Sequence, residues 1–367
     1  MQISSARAFG GGERHLADLA NALASRGHEV YAALAPHSPL RDKLTALPEQ
    51  NLFTINLRNS LDVRGALELA RVVREHRIEV LHAHVARDYP AASFAARRGK
   101  AARLVITRHV LFPLGRLHAL TLARASRVIA VSNAVARSLR GQAIFPESKI
   151  RVVPNGIDLA RFDCARDTEA RASARRTLNL PPDKILVGTV GEINPLKGLE
   201  EFLRAASVVT SARADVDFVI AGDDPTRGGE HRKQVESLIR ELNLSERVHL
   251  TGRLDDVTPL LCALDLFVSA SRTESFGLAI VEAMAGGLAV VVTATEGARE
   301  VVTPQTGVLV PAGDWGALAR AVAALIEDGE RRELLGARAR ESARERFGLE
   351  RLVSATERVY YEALSGG

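Results

Sequence analysis

The sequence predicts an α/β protein of two doubly wound domains, each an open parallel sheet with helices on both faces. Three observations predict it. Short apolar, β-branched runs alternate with longer amphipathic segments, as parallel sheets require. The alternation stops in a charged stretch without a strand, then starts again. The length, 367 residues, suits two domains at roughly 100–200 residues each.

In the first half, strands are expected at Gln2–Ser5, Glu29–Leu34, Leu52–Leu57, Glu79–Ala83, Arg103–Thr107, Arg127–Val131 and Ile150–Val153. Helical patterns such as Glu13–Arg26, Val63–His76 and Asn133–Arg140 lie between them. Pro154-Asn155-Gly156 is a turn signal directly after the last of these strands. From Asp163 to about Asp183 the chain is charged and helical. Strands resume at Ile185–Val190, Asp217–Ala221, Arg247–Thr251, Leu266–Ser269, Ala289–Thr293 and Gly307–Val310. Asp328 to Leu364 reads as helix, with Leu352, Val359 and Tyr360 on one face of its final part. The expected domains are residues 1–163 and 164–346, with 347–367 as a terminal helix. In open α/β sheets, ligands bind at the carboxyl ends of the strands.

Composition narrows the class. Hydrophobic residues make up 46% and charged residues 25%, ordinary for a globular chain that buries a full core. The N-terminus lacks the apolar core of a signal peptide, and no run of 18 apolar residues exists. Cys164 and Cys262 give neither a metal-ligand spacing nor a disulfide framework, so a cytoplasmic setting is expected. Charge is uneven. Residues 1–163 hold 24 Lys+Arg against 13 Asp+Glu, and the remainder 25 against 31. No acidic residue occurs between Asp88 and Glu147, a stretch that holds Arg97, Arg98, Lys100, Arg103, Arg108, Arg116, Arg124, Arg127, Arg137 and Arg140. Such a field draws anionic membranes or phosphorylated substrates. With aromatics at 4% and no recognition module, nucleic acid is not expected as a partner.

Four segments carry chemistry. Gly10-Gly11-Gly12-Glu13 follows the first strand and opens a helix. Glycines permit close approach of backbone to ligand, and a helix start offers free N–H groups to an anion. A plain strand–helix turn accounts for it equally well, because the dinucleotide spacing is missing. Glu274-Ser275-Phe276-Gly277-Leu278 opens the helix Gly277–Ala285, with Glu282 eight residues beyond Glu274. At ~1.5 Å rise per residue the two carboxylates stand roughly 10–12 Å apart, a span that suits an extended ligand. The amides of Phe276, Gly277 and Leu278 lie between them, ready for a diphosphate; taken alone, the segment is better explained structurally, Glu274 as a dipole partner and Glu282 as a paired buried charge. Lys197, in Gly191-Glu192-Ile193-Asn194-Pro195-Leu196-Lys197-Gly198, sits at a strand-to-helix turn and can neutralise phosphate, although a lone lysine reads first as a surface residue. Histidines close two strands, in Leu81-His82-Ala83-His84 and Thr107-Arg108-His109. His82 and His84 share a face by period two. His82 reads as a satisfied core histidine, and a metal reading needs more ligands than this pair.

In order along nearly the whole chain, these segments resemble the retaining glycosyltransferases of family four, which have the GT-B architecture. The matching pieces are Gly11-Gly12-Glu13, Arg26-Gly27-His28-Glu29-Val30, Glu79-Val80-Leu81-His82-Ala83-His84, Val128-Ile129-Ala130-Val131-Ser132 and Val153-Pro154-Asn155-Gly156-Ile157-Asp158. The second half adds Val219-Ile220-Ala221-Gly222, Glu274-Ser275-Phe276-Gly277 through Glu282-Ala283-Met284-Ala285, and Gly307-Val308-Leu309-Val310.

The resemblance implies roles for matching positions. Glu274 would bind donor-sugar hydroxyls and hold the transition state, and Glu282 the ribose. Phe276, Gly277 and Leu278 would offer amides to sugar and diphosphate. Lys197 would stabilise the leaving diphosphate. His109 would reach the donor sugar from the first domain. Gly11 and Gly12 would lie beneath phosphate and acceptor, and the terminal helix would pack back on the first domain. One position departs. Most members carry an arginine where Glu192 stands, and Arg253 is the expected substitute for that cation. The implied reaction is retaining, metal-independent transfer of a hexose-type sugar from a nucleotide-sugar to a glycan or lipid-linked acceptor. Cell-envelope polysaccharide, lipopolysaccharide or glycolipid synthesis is the implied setting. No metal and no cofactor is expected, and the basic half implies a peripheral position on an anionic membrane. The competing readings are a non-catalytic nucleotide-sugar-binding protein and a GT-B nucleotide-sugar 2-epimerase.

Overall fold

A computed structural model describes residues 1–99, 102–166 and 168–366, with side chains except at 116, 117 and 163–166. Lys100 and the side chains of Arg116 and Cys164, used above, lie outside the described residues. The chain divides into two compact units. Unit 1 is Met1–Ile157 with Gly348–Gly367, and unit 2 is Asp158–Phe347.

Unit 1 holds seven parallel strands: β1 (Gln2–Ser4), β2 (Ala32–Leu34), β3 (Leu52–Thr54), β4 (Val80–Ala83), β5 (Arg103–Arg108), β6 (Arg127–Ala130) and β7 (Ile150–Val152). Their order in the sheet is β3-β2-β1-β4-β5-β6-β7. Unit 2 holds β8 (Ile185–Val190), β9 (Val216–Ala221), β10 (Val248–Gly252), β11 (Leu266–Ser269), β12 (Ala289–Thr293) and β13 (Val308–Val310), in the order β10-β9-β8-β11-β12-β13. In both sheets the order reverses beside the first strand of the unit, which opens a crevice at the carboxyl ends. The run Ala289-Val290-Val291-Val292-Thr293 is buried at every residue, as a strand covered on both faces must be.

Local chemistry sets the helix ends. Asp62 Oδ1 accepts from Gly65 N at 3.1 Å and starts the helix Val63–Glu75. Ser132 Oγ accepts from Val135 N at 3.1 Å and starts Asn133–Gln142. The terminal helix, Leu349–Ser365, buries Leu352, Val353, Val359 and Ala363 against the sheet and first helix of unit 1. It is tied at its start, where Gly348 bridges Ile157 and Leu349 N donates to Ile157 O at 2.9 Å. A Cβ at Gly156 would stand 2.8 Å from Gly348 O, so this junction closes only over glycine.

One expectation is corrected. The cysteine spacing predicts no disulfide, yet Cys262, buried in the helix Thr258–Ala263, is disulfide-bonded. Spacing alone does not show which loops a fold brings side by side. No helix of the described residues is long and apolar enough to cross a membrane.

Candidate functional site

In unit 2 the site grows from two loops, one after β8 and one after β11. Asn194 Oδ1 accepts from Leu196 N at 3.0 Å and shapes the turn Pro195–Lys197. Gly198 then takes φ +62°. A Cβ there would stand 1.9 Å from Ala270 O, just beyond β11, so only glycine lets the two loops approach. Arg272 N donates to Leu196 O at 2.8 Å and locks them together. The result is a single ion pair, with Lys197 Nζ 2.5 Å from Glu274 Oε1. Ser271 Oγ donates to the same oxygen at 3.0 Å. The two side chains remain 29% and 16% exposed, so a ligand can reach them.

The loop Glu274–Gly277 is held from behind. Gly297 N donates to Glu274 O at 3.1 Å, and a Cβ at Gly297 would collide with Glu274 O and Phe276 N at 2.6 Å. The Phe276 ring is buried edge-on to Phe347, centroids 5.5 Å apart, so its side chain serves packing. Gly277 takes φ +98° and starts the helix Leu278–Ala285. Among the described residues, no hydrogen bond is made by the amides of Phe276, Gly277 or Leu278. Three free donors at a helix start, beside Lys197, form a concentration of positive potential. Glu282 is buried in the same helix.

Two of the named positions stand apart from this pair. Arg253 follows the edge strand β10, two strands from β8, and among the described residues its nearest carboxylate is Asp255 at 3.9 Å. Glu192 is exposed and accepts from Asn194 Nδ2 at 3.3 Å. No salt bridge to it is formed among the described residues.

In unit 1 the corresponding loops carry rings rather than ions. Glu13 Oε2 accepts from Gly10 N at 3.1 Å and fixes the start of the helix Gly11–Ser25. Gly12 lies over His109, whose ring is 3.9 Å from where a Cβ would be. His84 Nδ1 and His109 Nε2 are 3.3 Å apart, and the His15 ring meets that of His109 edge-on at 4.8 Å. His15 is the residue the sequence did not single out. Its signal was position, one turn into the helix that the glycines open.

A polar chain stands behind the rings. Gln2 Oε1 lies 2.9 Å from His84 Nε2, and Gln2 Nε2 donates to the Tyr360 hydroxyl at 3.1 Å. That hydroxyl is 2.6 Å from His82 Nδ1, and His82 Nε2 is 2.6 Å from Thr107 Oγ1. Both nitrogens of His82 are thus satisfied. Burial pushes His15 down to about 4, opposed by the neighbouring Asn155 side chain. Burial, then the neighbouring histidines and cations, holds His82, His84 and His109 well below the usual imidazole value. All four are neutral near pH 7.

Comparison with known proteins follows the same division. Residues 9–161 match the family described as Glycosyltransferase Family 4, and residues 170–342 match Glycosyl transferases group 1. The chain is 28% identical to N-acetyl-alpha-D-glucosaminyl L-malate synthase of Bacillus anthracis, over 95% of this chain and 92% of that protein. It is 35% identical to D-inositol 3-phosphate glycosyltransferase of Salinispora tropica, over 66% of this chain but only 52% of that protein. It is 30% identical to the lipopolysaccharide core biosynthesis mannosyltransferase LpsB of Rhizobium meliloti, covering 57% of this chain and 60% of that one. The chain therefore spans about half to three fifths of the length of the last two. Among solved structures, Anabaena Alr3699/HepE in complex with UDP and glucose superposes with a TM-score of 0.86 at 22% identity, covering 97% of both chains. WaaG, a glycosyltransferase involved in lipopolysaccharide biosynthesis, superposes at 0.74 and 17% identity, over 100% of this chain and 99% of that one.

Proposed function

Because the chain belongs to the family-four glycosyltransferases, with GT-B architecture, we propose that it moves a hexose-type sugar from a nucleotide-sugar donor with retention and without a metal. The observation that carries this reading is the Lys197–Glu274 pair beside three free amides. A departing diphosphate gains charge as the glycosidic bond breaks. Lys197 and the helix start take up that charge, as a divalent cation would elsewhere. Binding draws Lys197 toward the phosphate and frees Glu274 for the sugar hydroxyls. Glu282 takes the ribose. His109 meets the donor sugar as a neutral imidazole, and Gly11 and Gly12 let phosphate and acceptor approach. The acceptor hydroxyl attacks from the face that the diphosphate leaves, and the departing phosphate accepts its proton, so retention needs no covalent enzyme intermediate. Arg253 serves as the second cation only if the ligand or the loop after β10 closes the gap.

The acceptor is a glycan or lipid-linked molecule of cell-envelope synthesis, and the enzyme works at the inner face of an anionic membrane. Phe112 and Leu120 support this reading, being 58% and 82% exposed within the basic stretch between Asp88 and Glu147. Sedimentation with anionic vesicles at low salt, lost at high salt, is the expected behaviour. No sedimentation at low salt removes the membrane.

The test of transfer is a thermal-shift screen against UDP-, GDP-, ADP- and dTDP-sugars with and without EDTA, followed by NMR of the product anomer. One donor raises Tm, and more so as its concentration climbs above Kd, EDTA changes nothing, and the anomer is retained. An inverted anomer sinks the mechanism. Glu192 favours one second reading, a binding protein that turns nothing over. An exposed carboxylate opposes a diphosphate if it turns inward. Donor binding with neither transfer nor hydrolysis selects that reading. Release of free sugar without an acceptor selects the 2-epimerase.

A further inference from the structure

The histidines of unit 1 are arranged for more than packing. His15 comes from the helix Gly11–Ser25, His84 from the end of β4 and His109 from the end of β5. Their ligating nitrogens all lie within 4.8 Å of one another. The edge between His84 Nδ1 and His109 Nε2 is 3.3 Å. That is the spacing of two ligands on a tetrahedral ion with bonds of about 2.0–2.1 Å to nitrogen.

The outer nitrogens determine which atoms face inward. Gln2 gives its N–H to Tyr360 and so turns its carbonyl oxygen on His84 Nε2. His84 donates there, which leaves the lone pair of Nδ1 aimed at the cluster. A ligating histidine characteristically hands its other N–H to an oxygen in this way. His15 Nδ1 is buried and has no hydrogen-bond partner among the described residues. All three rings are held neutral by burial, the form that ligates.

We propose that His15, His84 and His109 form a binding site for a transition-metal dication such as Zn²⁺ or Ni²⁺, with water in the fourth position. Imidazole suits these ions, whereas Mg²⁺ and Ca²⁺ demand oxygen ligands. The ion engages His109, the ring assigned above to the donor sugar. Metal binding is therefore inhibitory, and it regulates the site rather than serving the reaction. The inhibition rests on the role given to His109 above; the binding does not.

The experiment titrates purified full chain with ZnCl₂ against a chromophoric chelator, for the wild type, His15→Ala and His84→Ala. Circular dichroism and melting of each variant check that it folds. One Zn²⁺ per wild-type chain is expected, undisturbed by excess Mg²⁺. Affinity in each folded variant falls more than about tenfold, at least the loss that outer-shell changes cause. X-ray absorption of the zinc-loaded wild type, which needs no variant, should show three imidazole nitrogens at about 2.0–2.1 Å. No stoichiometric binding, unchanged affinity in both folded variants, or an oxygen-only shell overturns the site. Transfer is then assayed with and without Zn²⁺ and EDTA. Inhibition reversed by EDTA supports the whole proposal. Binding with no inhibition upholds the metal site and removes His109 from the donor.

Discussion

At the carboxyl end of unit 2's sheet, Lys197 and Glu274 meet as ions 2.5 Å apart, with solvent in reach. At the carboxyl end of unit 1's sheet, His84 and His109 meet 3.3 Å apart as neutral rings, backed by buried Gln2 and His82. Both sheets are parallel and both sites stand beside the strand where the order reverses. The fold thus fixes where a site forms and leaves its electrostatics to a few loop residues. Unit 2 presents a charge pair that an anionic ligand can divide. Unit 1 presents donors and acceptors whose protonation is set by burial.

The comparison can be broken most forcefully at the ion pair. Lys197→Ala is expected to lower kcat/KM by roughly 10²–10³, the loss typical of removing one transition-state donor. Glu274→Gln in the same background should then cost far less than it does alone, because the two act as a unit. Steady-state kinetics of the four proteins in the cycle checks this. Additive losses would mean that the pair is a resting-state contact without a shared task.

Unit 1 should answer to pH instead. An unfolded histidine binds its proton as pH falls through about 6.5, whereas folded His15 stays neutral down to about 4. Unit 1 is therefore fully stable above 6.5 and loses stability between 6.5 and 4, on the order of 3 kcal/mol for His15 alone. Urea unfolding at pH 7.5 and pH 5, with and without His15→Gln, measures it. A pH-independent midpoint for the wild type would show that the rings are solvated.

Smaller effects sharpen the contrast. Gly198→Ala meets both φ +62° and the Ala270 carbonyl. It should cost unit 2 about 2 kcal/mol or more, a fall in Tm of roughly 4–8 °C, and should lower activity by displacing Lys197. Tyr360→Phe removes a hydroxyl that touches both Gln2 and His82. A loss of about 1 kcal/mol is expected in unit 1, with unit 2 unmoved in the same melt.

All thirteen strands were legible in the sequence, because a buried parallel strand announces itself locally through β-branched runs. Ends were less so: Glu29–Leu34 was expected where β2 covers Ala32–Leu34, since pairing trims a strand that its apolar run does not. The contact between the loops of Lys197 and Glu274 was not legible, because it depends on β8 lying beside β11, and neither was the approach of His15 to His84 and His109. That approach depends on β1 lying between β2 and β4 in the sheet, a matter of topology rather than period. Arg253 shows the converse. Its charge was plain in the sequence, but its position just past the edge strand was not.

Unit 1 is interrupted by all of unit 2, since its last helix belongs to Gly348–Gly367. That helix supplies Leu352, Val353, Val359 and Ala363 to the core. A ribosome making this chain finishes Ile157 and must add the whole of Asp158–Phe347 before the missing piece emerges. At about 5–20 residues per second, the first sheet waits roughly 10–40 s with part of its apolar face uncovered. Unit 2, unbroken in sequence, can fold during that interval. The part made first is the part completed last.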